Sequence, residues 1–335
     1  MRSSSPMRTP TGVLHFALRT GSPRLRIAII GAAGQLGQDL LIRLQGHQLW
    51  APGHDELDIV DAQQVQQWLY RNRPQVVVNV AAFHDVVRCE AEPETAFAVN
   101  TRGPRNLARG CRAVGARLFH VSTDYVFDGT KGVPYVEQDT PSPLMTYGRT
   151  KRGGERCLML EAPTSVVIRS SGLFGHGPCR AKPGGRNFVE TMLHLGLARG
   201  EVEVVDDQLC CPTYTVDLAH QIAALVERQV DPGVYHAVNS GGGSWYEFAR
   251  RIFAVAGARG ARVKLRPVSS RRFPSPVKRP TDSRLANARL VHIGLDLMRS
   301  LPGALEEYLG TSSPAASPGP AVNDGCRPLW VGHGA

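Results

Sequence analysis

Tyr147 and Lys151 form the pair of side chains in this sequence that is best suited to chemistry. Residues four apart lie one turn apart on the same face of a helix, so a helix here would bring the phenol and the ammonium together. A nearby positive charge lowers the pKa of a tyrosine from its ordinary value of about 10. The phenol then becomes a usable proton donor to a carbonyl that receives a hydride. The pair therefore indicates an oxidoreductase.

Thr123 is the third residue with a predicted catalytic role. It follows the run Arg117 to Val121, which predicts a strand, and its hydroxyl would hold the same carbonyl from the strand end. A tyrosine and a lysine four apart occur by chance in many helices. Their position downstream of Thr123, after the fourth predicted strand, favours the catalytic interpretation over coincidence.

Three glycines predict the binding site for a dinucleotide cofactor. Gly31, Gly34 and Gly37 follow the apolar run Leu25 to Ile30 and precede a helical pattern of leucines. In such a motif the glycines permit a tight turn, a close approach of the backbone to a pyrophosphate, and close helix packing. The free N–H groups of the helix N-terminus then face the phosphates. The end of the second strand has neither an evident Asp nor an Arg, so NADPH is favoured only slightly over NADH.

Strands and helical patterns alternate up to Arg169, which predicts an α/β fold with a Rossmann-like, doubly wound parallel sheet. Helices are expected at 61–70, 93–114 and 147–160, with late strands at 203–205 and 235–238 returning to the sheet. A small C-terminal lobe would bind substrate over the strand ends. The expected divisions are a disordered basic extension (1–23), an NAD(P)-binding domain (24–170), a substrate-binding lobe (171–310) and a disordered tail (311–335).

Composition and charge narrow the class of protein. The chain has 335 residues, 42% of them apolar, and a net charge of +10. Five arginines precede the first acidic residue, and a second basic segment at 259–289 lacks the interleaved aromatics that single-stranded nucleic acid would need. That segment is either a solvated surface or a site for an anionic substrate such as a nucleotide diphosphate.

The apolar runs are too short to cross a membrane. The seven cysteines include no CxxC pair, which indicates a cytoplasmic protein.

Several segments together resemble the dTDP-4-dehydrorhamnose reductase family, within the extended short-chain dehydrogenase/reductase superfamily. The most specific of these is Ser122-Thr-Asp-Tyr-Val-Phe127. The resemblance extends from Ile27 to about Leu309. Other matching segments are Gly31 to Gly37, Asn79 to Ala82, Val99-Asn100, Pro143 to Lys151, Gly185 to Phe188, Asp206 to Gln208, Pro212-Thr213, Gly243 to Tyr246, and Arg279-Pro280 with Ser283 to Leu285.

The resemblance implies reduction of the C4 keto group of dTDP-4-dehydro-L-rhamnose, or of a closely related 4-keto-6-deoxy sugar nucleotide, by NADPH or NADH. Tyr147 would protonate the C4 oxygen, and Lys151 would hold the nicotinamide ribose. The sugar nucleotide would contact Thr123, Asp124 and Tyr125. The cofactor would lie against Tyr147, Lys151, the three glycines, Gln35, Leu36, Asp58, Ile59, Ala81, Ala82, Phe83 and Asn100.

The chain departs from the family pattern at one position. Gly172 stands where many members have an aromatic residue, which puts the exact sugar nucleotide in doubt. Members often form a magnesium-mediated dimer through acidic side chains, but only Asp39 maps onto that pattern. No metal site is therefore predicted, and a homodimer stays open.

Two other functions remain as alternatives. One is a sugar-nucleotide epimerase or dehydratase of the same superfamily, although dehydratases typically have Asp-Glu after the threonine where this chain has Asp124-Tyr125. The other is a non-catalytic NADP-binding subunit like the regulatory partner of methionine adenosyltransferase. The intact set of Thr123, Tyr147 and Lys151 favours catalysis.

Overall fold

The computed structural model of the chain describes residues 24–179, 183–257, 263–311 and 331–332. The predicted basic extension, 1–23, lies outside the described residues. The strands are β1 (Arg26–Ile30), β2 (Gln48–Trp50), β3 (Val76–Asn79), β4 (Arg117–Thr123), β5 (Val166–Ser170), β6 (Leu173–Phe174), β7 (Glu201–Val205), β8 (Leu209–Cys210), β9 (Thr213–Tyr214), β10 (Gly233–His236), β11 (Gly243–Ser244), β12 (Lys264–Val268) and β13 (Val331–Gly332). The helices are α1 (Gln35–Arg43), α2 (Ala62–Asn72), α3 (Val86–Ala91), α4 (Pro93–Phe97), α5 (Gly103–Val114), α6 (Thr146–Glu161), α7 (Phe188–Arg199), α8 (Thr215–Glu227), α9 (Trp245–Gly257), α10 (Ala288–His292) and α11 (Leu301–Thr311).

A six-stranded parallel sheet in the order β10-β5-β4-β3-β1-β2 forms the centre of the fold. The predicted Rossmann-like fold class is confirmed. The chain leaves β1 toward β2 on one side and returns to β3 on the other. This change of direction opens a crevice at the carboxyl ends of β1 and β3, where ligands bind in sheets of this kind.

The sequence of the central strands explains why both faces of the sheet are covered. β3 and β5 are buried along their whole length, and β1 is buried from its second residue. Strands that are apolar on both sides need helices on both faces. Leucines of α1 and apolar residues of α8 pack on one face. Residues of α2, α5 and α6 pack on the other.

The second lobe has its own core around β7, α7, α9 and α11, with Phe174, Phe188 and Phe248 among its buried rings. The prediction that residues 203–205 return to the central sheet is wrong, because β7 pairs with β12 and β13 in a separate sheet. Glu201 and Glu203 alternate with buried valines, a pattern typical of a strand with one solvated face. The strand predicted at 235–238 does return, as β10 beside β5.

The helix predicted over 93–114 is interrupted. It begins as α4, passes through a π-helical turn at Ala98–Arg102 and continues as α5. A further short helix, α3, precedes it and is capped by Asp85, whose carboxylate accepts from the N–H groups of Val87 and Arg88. The turn has a function in the site, because it carries Asn100.

The C-terminal segment differs from the predicted disordered tail at two points. α11 extends to Thr311, and Val331–Gly332 pairs antiparallel with Val204 and Glu203 of β7. Residues 312–330 and 333–335 lie outside the described residues. Over the part of the chain that the structure describes, no helix is long and apolar enough to cross a membrane.

A buried ion pair joins α6 to the sheet. Arg169 on β5 donates from Nε and Nη2 to the two carboxylate oxygens of Glu155, at 2.9 and 2.8 Å. Both side chains are fully buried. Burial alone would raise the pKa of Glu155, but the hydrogen bonds and charge of Arg169 lower it. The pair fixes the helix that carries Tyr147 and Lys151.

We expect Glu155→Gln to lower the free energy of unfolding by about 3–5 kcal/mol, because it leaves a buried guanidinium without its counter-charge. Urea denaturation at pH 7 measures this loss. Glu92→Gln is the matched control, since its partner Arg88 lies in an exposed pair on α3, and we expect no measurable change. Equal effects of the two substitutions would contradict the prediction.

Candidate active site

The glycine turn after β1 lies directly against the end of β3. Gly31 has a φ of +87°, and a Cβ there would lie 2.7 Å from the backbone nitrogen of Ala81. A Cβ on Gly37 would lie 2.5 Å from the Cα of Ala32. Both glycines are therefore required by the protein itself, one for the turn and the close approach of two strand ends, the other for helix packing.

Gly34 differs from its two neighbours in the motif. It is the N-cap of α1, with φ −87° and ψ 174°, and a Cβ there would meet only Gly31 O, at an ordinary 3.6 Å. Within the described part of the chain, no contact explains why this residue is a glycine. The open space above it, at the N-terminus of a helix, suits the close approach of a phosphate group.

The turn after β3 is held by the π-helical turn. Asn100 accepts from the N–H of Phe83 at 2.9 Å and donates to its carbonyl, also at 2.9 Å. Its amide also donates to Thr150 Oγ1 on α6 at 3.2 Å. Ala81, Ala82 and Phe83 are half-buried along the crevice. Asn100 is 1% exposed, so it positions this turn from beneath.

The other predicted cofactor residues surround the same crevice in different ways. Gln35 is half-buried and donates to Gly175 O at 3.0 Å, and Leu36 is part of the core beneath the turn. Asp58 is half-buried and accepts from the N–H of Val60 at 2.9 Å, while Ile59 is buried. Leu36 and Ile59 can therefore offer mainly backbone to a ligand.

The structure brings Thr123 and Tyr147 together at the end of β4. The two hydroxyls lie close enough for Thr123 to oppose a rise in the pKa of Tyr147, and the Tyr147 ring is half-buried. Burial raises the pKa of Tyr147, and the nearby carboxylate of Asp124 raises it further. The direction is opposite to the one expected from Lys151. The phenol is thus held in its protonated form.

Lys151 lies beneath this pair and is 1% exposed. Its Nζ donates to Val121 O at 2.7 Å and lies 3.2 Å from Nε2 of His120. Burial lowers the pKa of Lys151 to about 8, against an opposing attraction from Glu155. The ammonium is therefore less favoured here than in water.

Asp124 and Tyr125 occupy different positions relative to the opening. Asp124 is buried, and its carboxylate accepts from the hydroxyls of Thr123, Ser171 and Ser283 at 3.0, 2.8 and 2.6 Å. Its carboxylate therefore orients Thr123 from behind. The Tyr125 ring is half-buried and packs edge-on against Tyr147, with ring centroids 6.3 Å apart.

Sequence reasoning missed the residues behind the site. Ser171 and Ser283 come from distant parts of the chain, and no local pattern connects them to Asp124. His120 had a local signal, since it is a polar residue inside the apolar run Leu118-Phe-His-Val121. A buried polar group in a central strand usually has a specific partner.

Asp39, the residue related to a family magnesium site, does not lie in a metal-binding cluster. Burial raises its pKa, and its neighbours are Thr215, His176 and His220. Magnesium prefers several oxygen ligands with ionised carboxylates among them. Among the described residues, no group of three or more His, Cys, Asp and Glu side chains is arranged to hold a metal ion.

The arrangement combines two functions in one crevice. A glycine turn and a helix N-terminus offer room and N–H groups for phosphates. At the same edge of the sheet, the protonated phenol can donate to a substrate oxygen, and the Thr123 hydroxyl can donate to the same oxygen when it rotates away from Asp124. This geometry suits protonation of a carbonyl oxygen next to a bound dinucleotide.

Comparison with known proteins agrees with this chemistry. The family model described as the RmlD substrate binding domain matches residues 25–313. A dTDP-4-dehydrorhamnose reductase of Streptomyces griseus is 42% identical over 292 residues, covering 85% of this chain and 93% of that protein. A dTDP-4-keto-6-deoxy-D-glucose reductase of Streptomyces niveus is 40% identical over 285 residues, covering 84% and 96%.

A solved structure is similar over nearly the same region. It is a dTDP-4-dehydrorhamnose reductase from Bacillus anthracis strain Ames, in complex with NADP. The TM-score is 0.81 at 35% sequence identity, and the match covers 87% of this chain and all of the other.

We expect Gly34→Ala to fold normally and to weaken dinucleotide binding about tenfold, because the methyl group fits the protein but crowds the phosphate position. Isothermal titration gives the affinity and thermal unfolding gives the stability. Gly46→Ala, where a Cβ meets nothing within 4 Å, is the control and should change neither. Unchanged affinity in the Gly34 variant would show that the phosphates bind elsewhere.

Proposed function

The chain belongs to the dTDP-4-dehydrorhamnose reductase family, and we propose that it reduces the C4 keto group of a dTDP-linked 4-keto-6-deoxy sugar. The best substrate is dTDP-4-dehydro-L-rhamnose, and the product is dTDP-L-rhamnose. The observation that carries this proposal is the proximity of the Thr123 and Tyr147 hydroxyls at the end of β4, on the same edge of the sheet as the glycine turn. The names of the relatives from two Streptomyces species support reduction at C4. The two names give different sugars, so the sugar is to be identified by experiment.

NADPH is the proposed cofactor, because the similar Bacillus anthracis enzyme was solved with NADP. The residues present fit such a group, since the space above Gly34 is open and the Ala81 to Phe83 turn is half-buried along the same crevice. When bound, NADPH supplies the hydride that forms the new C–H bond at C4. Gln35, Asp58 and Lys151 are the proposed polar contacts to it.

Tyr147 is the proposed proton donor. Because burial raises its pKa, the phenol keeps its proton at neutral pH and can release it only to an oxygen that becomes strongly basic. The C4 oxygen becomes basic as the carbonyl is reduced. The O–H bond of the tyrosine then breaks and a new O–H bond forms on the sugar. Thr123 holds the same oxygen in line.

The remaining substrate contacts come from Tyr125 and from the basic segment. The guanidinium of Arg279 lies close enough to the Tyr125 hydroxyl to oppose the rise in its pKa, which places one cation of that segment at the site. A guanidinium there suits the diphosphate of a sugar nucleotide, so the anionic-substrate interpretation is favoured for this part of the segment. Asp124 is proposed to position Thr123, because its carboxylate is buried behind it.

The two alternative functions are less well supported. The relatives named above are reductases, which favours net consumption of cofactor over the internal redox cycle of an epimerase or dehydratase. A regulatory subunit would have no need for a buried lysine close to neighbouring Thr123 and Tyr147 hydroxyls. These residues favour an enzyme.

We expect Tyr147→Phe to reduce the rate of NADPH oxidation with dTDP-4-dehydro-L-rhamnose by about 100-fold or more, because the proton donor is lost. Absorbance at 340 nm measures the rate, with NADH run in parallel. NADPH affinity should be unchanged.

Tyr70→Phe removes the same hydroxyl from an exposed tyrosine on α2 and is the control, with no expected effect. Full activity of Tyr147→Phe would contradict the assignment of Tyr147 as the proton donor. If the wild type oxidises no NADPH with any dTDP-linked 4-keto sugar, the proposed function itself is wrong.

A further inference from the structure

A chain of buried hydrogen bonds leads from the end of β3 to the lysine of the active site. The N–H of Ala81 donates to Asn79 Oδ1 at 3.1 Å, and Asn79 Nδ2 lies 3.1 Å from His120 Nδ1. His120 Nε2 lies 3.2 Å from Lys151 Nζ, which donates to Val121 O at 2.7 Å. Asn79 and His120 are both 0% exposed.

The direction of this chain is fixed at its first bond. A backbone N–H can only donate, so Asn79 must present its oxygen to Ala81 and its NH₂ group to His120. An amide NH₂ can only donate, so His120 Nδ1 must accept. Burial and the neighbouring lysine lower the pKa of His120, so the ring is neutral and its single proton is on Nε2.

We propose that His120 is a positioning residue that turns an N–H, and not a lone pair, toward Lys151 Nζ and thereby favours the uncharged amine of that lysine over its ammonium. An N–H facing an ammonium is repulsive, whereas the lone pair of an amine accepts it. The role of His120 in reduction rests on the proposed function. The direction of the hydrogen bonds from Ala81 to His120 is independent of that function.

Few other groups around Lys151 can oppose this bias. Glu155, one turn further along α6, attracts the ammonium. Its carboxylate is already paired with Arg169 from β5 and with Arg152 at 2.8 Å. On the β4 side the neighbours of Nζ are His120 and the carbonyl of Val121.

The consequence concerns the proton on Tyr147. A full positive charge one turn away would lower the pKa of the phenol and favour its loss of a proton. By favouring the amine, His120 weakens that charge and helps the phenol to stay protonated. The site is thus biased toward the acid form of Tyr147 that reduction of a carbonyl requires.

Histidine and lysine side-chain NMR tests the proposal without any substrate. The chain has eleven histidines and five lysines, namely Lys131, Lys151, Lys182, Lys264 and Lys278, so assignment by single substitutions is practical. We expect the ¹⁵N shifts of His120 in the wild type to show the Nε2–H tautomer. We expect Lys151 to titrate with a midpoint near pH 8.

Asn79→Asp should reverse the direction of the chain. A carboxylate at position 79 accepts from His120 Nδ1–H, so Nε2 then offers a lone pair to the lysine. The midpoint of Lys151 should rise toward the ordinary value for lysine, about 10.4. His120→Phe gives a background in which only the added charge can act, and there the same substitution should raise the midpoint much less.

Two results would overturn the proposal. One is an Nδ1–H tautomer of His120 in the wild type, which is decisive even if the His120→Phe protein does not fold. The other is an equal rise of the Lys151 midpoint in both backgrounds. In turnover assays, Asn79→Asp should move the alkaline limb of the pH–rate profile to lower pH, because the restored ammonium lowers the pKa of Tyr147. A purely structural defect would instead lower the rate equally at every pH. Absence of turnover in the wild type would count against the proposed function and leave the NMR result valid.

Discussion

The position of α6 against β4 and β5 governs the rest of this structure. α6 carries Tyr147 and Lys151, and buried polar contacts join it to the sheet. Lys151 reaches the carbonyl of Val121 on β4, and Glu155 pairs with Arg169 on β5. Buried charges are costly unless paired with good geometry, so these contacts define one position of the helix more sharply than its leucines do. The distance from phenol to strand end follows from them.

The cofactor crevice depends on the same helix from its other side. Asn100 joins the turn after β3 to Thr150 of α6, so the half that would bind a dinucleotide and the half that holds Tyr147 share one amide group. A small shift of α6 would therefore move the turn that contains Phe83 and would also change the position of Tyr147 relative to Thr123. The two halves of the site come from sequence segments about fifty residues apart, yet a single buried side chain connects them.

The fold was predictable where the physical signal is local. Residue types alone predict the glycine turn at 31, 34 and 37, because few residues other than glycine adopt a left-handed turn. They also predict the apolar strands β1, β3 and β5, because a strand covered by helices on both faces must be apolar on both sides. β7 was predicted as a strand correctly but was assigned to the wrong sheet. Its alternating pattern indicates a strand, whereas its partners, β12 and β13, come from distant parts of the chain that no local pattern identifies. α8 was missed, since it is buried on nearly every side and has no polar face to give a helical period. His120 and Ser283 were missed as parts of the site for a related reason, as their roles exist only once distant strands meet.

The π-helical turn at Ala98–Arg102 has a consequence for how this sequence can vary in length. Such a turn accommodates one residue more than a regular helical turn, and here the extra residue sets the direction in which Asn100 points. Deleting any one residue between α4 and α5 would restore a regular helix at little apparent cost to helical hydrogen bonding. Because the wide turn already absorbs that residue, the helical segments before and after it would keep nearly the same relative orientation, but the side chains within the turn would change direction. The amide that grips Phe83 and Thr150 would then face elsewhere, so this segment tolerates substitution far better than it tolerates a change of length.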